Sequence, residues 1–104
     1  MKLFAGITIT ALVLLAQPVE SRTDDSAALR LIATQGCRGC HVIAGLGGNF
    51  GPNLDQVGSR LKRYQIQQKL IDPKTDNPES VMPDIRHLSL EEQIVLSDYL
   101  ASLK

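Results

Sequence analysis

The sequence predicts an all-α domain of three helices separated by long loops, and two observations carry that expectation. Apolar side chains recur at helical spacing in three windows, 23–36, 59–71 and 89–103, and nowhere do they alternate with polar ones as a half-buried strand requires. The stretches between these windows are rich in glycine or proline and contain no repeat or low-complexity run. A chain of 104 residues has room for one such domain, whose core alone is marginal.

The N-terminus stands apart from this pattern. Met1-Lys2 followed by the apolar run from Leu3 to Ala16 has the charged start and short apolar middle of a secretory signal. The run falls short of the about 20 apolar residues that a membrane span needs. Gln17-Pro18 breaks the helix and Val19-Glu20-Ser21 offers small side chains to a peptidase, so residues 1–21 are expected to be a signal peptide cleaved near Ser21-Arg22. The alternative is an uncleaved single-helix anchor. Cleavage removes Lys2 from eleven basic residues and Glu20 from eleven acidic ones, leaving ten of each in domain 22–104. A neutral polypeptide gives no reason to expect a nucleic acid as partner.

The first helix is expected from Thr23 or Asp24, where short polar caps and two acids meet the positive end of the helix dipole, to a stop at Gly36. Ala28, Leu31 and Ile32 lie at i, i+3 and i+4. Leu29, Ala33 and Cys37 follow at successive fours, so an apolar face leads into the next segment.

That segment is Cys37-Arg38-Gly39-Cys40-His41, and a C-x-x-C-H run reads as a c-type haem attachment site. Two intervening residues let both sulfurs reach the two vinyl groups of one macrocycle and close thioether bonds, and His41 is then delivered to the iron. A bare C-x-x-C also serves redox dithiols and zinc half-sites. In an exported chain Cys37 and Cys40, the only cysteines, would otherwise pair as a disulfide. So small a loop would stabilise little and would leave His41 without a purpose, whereas haem attachment uses all three residues.

From His41 to Ser59 the chain carries Gly45, Gly47, Gly48, Gly51 and Gly58, which predict a loop running close to something flat, with Phe50 and Leu54 expected to anchor it. Within it, Gly51-Pro52-Asn53-Leu54 fixes the backbone at Pro52, whose neighbourhood presents carbonyls, and offers Leu54 to an apolar plane. A second helix is expected over 59–71, with Leu61, Ile66 and Leu70 buried, a basic exposed face, and Asp72-Pro73 as its stop. Residues 72–85 then form a stiff acidic loop built on Pro73, Pro78 and Pro83 with Asp72, Asp76, Glu79 and Asp84, in which Val81 and Met82 are the sizeable apolar members before Ile85. The third helix is the clearest, since Ser89 and Glu92 form a capping box and Leu96, Tyr99, Leu100 and Leu103 lie on one face. Loops this long are unusual in so small a domain, and a cofactor that they wrap would explain them.

Taken in order, these parts resemble a small bacterial class I cytochrome c: helix, Cys37-x-x-Cys40-His41, Gly51-Pro52-x-Leu54, helix, Met82-Pro83, then a capped helix ending in Tyr99-Leu100. The likeness covers essentially all of 22–104. It implies a cytochrome c-like fold with three main helices and long loops wrapped around one haem c, held covalently through Cys37 and Cys40. It further implies His41 and Met82 as axial ligands, and first and last helices packed across each other near Cys37. The Pro52 carbonyl is implied to accept the outer ring N–H of His41 and so to tune its basicity. Leu29 stands where some relatives carry a small residue at the helix crossing. His87 is the rival sixth ligand, in a bis-histidine site, but beside the Ser89 cap it is expected at the surface. Arg60, Arg63 and Tyr64 are offered as neighbours of the haem propionates by type and position alone.

An iron with both axial positions filled by side chains has no open place for a substrate. The resemblance therefore implies a one-electron carrier and not an enzyme, monomeric, exported to the bacterial periplasm, with redox proteins as donor and acceptor. Membrane contact is expected only through an uncleaved signal or a membrane-bound partner. Two alternatives stay open: a haem subunit of a larger redox enzyme complex, and a ligand-binding or peroxidatic haem protein in which Met82 is not a stable ligand.

Overall fold

The computed structural model describes residues 22–104; the expected signal segment 1–21, apart from Gly6 and Ala11, lies outside the described residues, as do the side chains of Arg22, Thr23 and Asp24. Three helices account for most of the regular structure: α1 (Arg22–Thr34), α2 (Arg63–Ile71) and α3 (Leu90–Ser102). The last helix packs on both others. On α1 the face predicted from Ala28, Leu31 and Ile32 is buried, whereas Leu29 and Ala33 are exposed, so the second apolar row does not face the core. Ala28, one position before Leu29, is the fully buried small residue of α1. From α2 and α3 come Ile66, Leu70, Leu96 and Leu100, and the loops add Ile43, Val57 and Ile85 to the same cluster.

The capping box of α3 forms as expected, with Glu92 N–H donating to Ser89 Oγ at 3.1 Å and Ser89 N–H to Glu92 Oε1 at 3.0 Å. The backbone N–H of Ser89 and then its hydroxyl hold the Glu92 carboxyl below its usual range. Leu96 and Leu100 are buried, with Tyr99 and Leu103 packed beside them. The fully buried Ser97 donates its hydroxyl to Gln93 O at 2.7 Å, which satisfies it within the helix.

The second helix is shorter than the expected 59–71. Residues 57–59 form a separate 3-10 turn, Lys62 is extended, and α2 begins only at Arg63. The reason is tertiary: the Gly58 N–H donates to Leu103 O at 2.7 Å, and a Cβ there would lie 2.0 Å from Ala101 O. Backbone this close to the end of α3 cannot continue as a helix on its own axis. Lys62 N–H instead finds Gln65 Oε1 at 2.9 Å, and α2 starts from there. It stops at Ile71 as expected, because Asp72 precedes a proline and leaves the helical region.

A minimal hairpin replaces part of the expected strand-free loop: β1 (Val42–Ile43) pairs antiparallel with β2 (Leu46–Gly47), Val42 opposite Gly47 and Ile43 opposite Leu46. The connection is a two-residue turn with positive φ at Ala44 (53°) and Gly45 (74°), the twist that suits adjacent strands. Left-handed backbone at a residue with a Cβ costs about 1–2 kcal/mol, so Ala44 has to be held there by its surroundings. Phe50 is not an anchor of this region. It is 78% exposed, and Ile43 and Val57, both buried, anchor the segment together with the half-buried Leu54.

Residues 72–89 contain no regular element, yet they are tied to α2. Ile85 N–H donates to Leu70 O at 2.9 Å, and Arg86 Nε to Ile71 O at 2.7 Å. No described helix is long and apolar enough to cross a membrane.

Candidate functional site

The site begins where α1 ends. Gly36, at φ 71°, turns the chain through a conformation that side chains resist, and Cys37–Gly39 then wind into a 3-10 turn. The Cys37 carbonyl accepts the N–H groups of both Cys40, at 3.3 Å, and His41, at 3.0 Å. Cys37, Cys40 and His41 thereby share one tight backbone turn. Arg38 Nε braces it by donating to Ile43 O at 3.1 Å.

Cys37 is half-buried against the core and Cys40 is exposed; the two are not joined. Burial pushes the Cys37 thiol up, outweighing a backbone hydrogen bond and the nearby Arg38. A structural zinc site needs converging donors. Among the described residues no three His, Cys, Asp or Glu side chains are gathered as a metal cage.

The imidazole of His41 is fixed from two sides. Its Nδ1 lies 2.6 Å from Pro52 O. A carbonyl only accepts, so Nδ1 carries the hydrogen, and in the neutral ring Nε2 has the lone pair that a metal would use. The ring also rests on Gly51, where a Cβ would lie 2.6 Å from Cε1 and 2.9 Å from Nδ1. Gly47 and Gly48 press similarly on the carbonyls of His41 and Gly39. The flat surfaces beside the expected glycine loop are therefore the peptides of the cysteine turn and the imidazole itself.

Three attachments hold Pro52 in register with His41: Gly51 N–H to Cys40 O at 2.7 Å, Leu54 N–H to Val42 O at 2.9 Å, and the Asp55 carboxylate to the N–H groups of Ala44 at 2.6 Å and Gly45 at 3.1 Å. Asp55 is a site residue that sequence reasoning missed. An acid ten residues beyond a glycine turn has no spacing signature.

Met82 is half-buried and packs against the hydrophobic core, as Cys37 and Leu54 also do. Its N–H donates to Ser80 Oγ at 3.3 Å, and it lines a cleft with Asp72, Ser80, Pro83 and Arg86. His87 is exposed and its Nε2 is engaged by Gln35 Oε1 at 2.7 Å. Of the three side chains offered as propionate neighbours, Arg60 reaches the Pro52 loop, donating to Asn53 O at 3.3 Å. Arg63 pairs instead with Asp98 on α3 at 3.2 Å, and Tyr64 lines an open cleft of 590 Å³ with Leu61, Gln65 and Ile71.

The residues present fit a covalently held haem. Two unjoined thiols stand with two residues between them, an imidazole whose Nε2 is left for a metal follows, a side chain is missing at Gly51 where that ring lies, and a thioether at Met82 packs against the core. Comparison with protein-family models, curated proteins and solved structures finds no match to this chain.

Proposed function

We propose that the chain is a periplasmic one-electron carrier, a small class I c-type cytochrome in which Cys37 and Cys40 bind one haem c and His41 and Met82 are its axial ligands. The observation that carries this reading is the hydrogen bond from His41 Nδ1 to the Pro52 carbonyl, on a ring that directly follows two free cysteines. When bound, the haem supplies reversible exchange of one electron at its iron.

The chain's own residues set the terms of that exchange. Pro52 fixes the tautomer and orientation of His41 and raises its basicity. Met82 brings a weak thioether donor from a half-buried position, and Leu54 with the surrounding core lowers the local polarity; both disfavour the oxidised charge and raise the potential. Export through residues 1–21 would bring the domain to an oxidising compartment, with the thiols engaged by the cofactor and withheld from a disulfide.

The acidic loop around Met82 presents less charge to a redox partner than its four carboxylates alone would. Lys69 of α2 pairs with Asp76 at 2.8 Å, and Arg86 within the loop segment approaches Asp72 at 3.7 Å, so part of the loop's acidic charge is offset. Exposed pairs of this kind contribute little to stability, but they shorten the reach of the field that would steer a redox partner.

A redox titration of the haem-loaded protein tests the proposal. A single reversible wave with the slope of one electron, and rapid exchange with a soluble redox protein, are expected. Slow or irreversible oxidation with turnover of peroxide would instead identify a peroxidatic haem.

A further inference from the structure

We infer that Asp55 is a positioning residue for His41: by clamping the Ala44-Gly45 turn, its carboxylate holds the Pro52 carbonyl on the imidazole. The inference rests on the haem site proposed above and adds to it a residue outside the ligand set.

Asp55 bonds to two consecutive backbone N–H groups, one with each carboxylate oxygen. Those N–H groups belong to the hairpin turn whose Ala44 is held at positive φ against its own preference. The same aspartate is fixed from behind, its N–H donating to Asn53 Oδ1 at 2.8 Å, while Asn53 O receives Arg60 at 3.3 Å. Segment 51–55 is thus fastened to segment 40–45 at Gly51, at Leu54 and at Asp55, with the Pro52–His41 contact lying between the first two. Of the three fastenings only Asp55 uses a side chain, so only there can a substitution loosen the frame without changing backbone hydrogen-bonding groups.

Loss of the clamp lets the 51–55 segment drift from the imidazole. The Nδ1–H bond to Pro52 lengthens, the ring becomes a poorer donor to the oxidised metal, and the potential rises. A purely structural role would lower stability without that shift.

The test separates the two by pairing Asp55→Ala with Ala44→Gly, which relieves the positive-φ strain and restores folding stability without restoring the carboxylate. The haem-loaded double variant is expected to unfold near the wild-type temperature, to show a raised midpoint potential and to exchange the amide hydrogens of residues 44 and 45 faster. Asp55→Asn, which keeps one acceptor oxygen, is expected to shift the potential less, and it decides the matter if the double variant does not load haem. A wild-type potential in the double variant or, failing that, in Asp55→Asn overturns the positioning role while leaving the haem site intact. A wild-type protein without covalent haem overturns the haem site and this inference with it.

Discussion

Met82→Ala is expected to turn a protein that resists carbon monoxide in its reduced state into one that binds it readily. Met82 is the one thioether on the described core, and its loop is pinned to the end of α2 through Ile85 and Arg86, so alanine removes the proposed sixth ligand without freeing the loop. The oxidised wild type should show the weak near-infrared band of sulfur-to-iron charge transfer, and the variant should lose it. The potential should fall by a sizeable part of the roughly 0.8 V over which axial ligands set haem potentials. His87→Ala should leave all three properties unchanged, because that ring is exposed and engaged by Gln35. Should His87→Ala abolish the low-spin spectrum while Met82→Ala preserves it, the sixth ligand is the histidine.

Gly51→Ala is the second substitution with a large expected effect. The new methyl group would meet the imidazole at 2.6 Å, well inside van der Waals contact. The backbone cannot retreat without breaking the 2.7 Å bond from Gly51 N–H to Cys40 O, so the ring must swing and lose Pro52. Overpacking of this kind costs about 1–3 kcal/mol. The informative signature is at the metal: a mixed-spin spectrum and a shifted potential in protein that still folds. Gly58→Ala supplies the contrast, since its methyl group would strike Ala101 O at 2.0 Å, far from His41 in the chain. It should lower the melting temperature and leave the spectrum of the folded fraction unchanged. Equal spectra for wild type and Gly51→Ala would show that the ring does not depend on this glycine.

The parts of the fold legible in the sequence are those decided locally. Ser89 and Glu92 cap α3 through bonds spanning three residues, and Asp72-Pro73 ends α2 by steric conflict within a dipeptide. The start of α2 was illegible because Gly58 is held by the far end of α3, a contact that no window of residues 57–63 contains. The hairpin was hidden for a related reason: its turn places Ala44 at positive φ, where the usual signal is asparagine or glycine, and Asp55 compensates from outside the turn. Ile43 and Val57 were lost in glycine-rich surroundings whose composition reads as loop, although both are core. Of the site, Cys37, Cys40 and His41 announce themselves by spacing, but the acceptor for His41 is eleven residues away and was expected only through the family resemblance.

Covalent attachment through Cys37 and Cys40 is tested most directly by the intact mass of the mature protein, produced alongside a cytochrome c maturation system and measured in acidified organic solvent. The expected mass is that of one chain beginning near Arg22 plus one haem, with neither cysteine open to alkylation, and Cys37→Ser combined with Cys40→Ser should remove the haem altogether. A bare chain with two alkylatable thiols, or with Cys37 and Cys40 joined as a disulfide, contradicts the haem site.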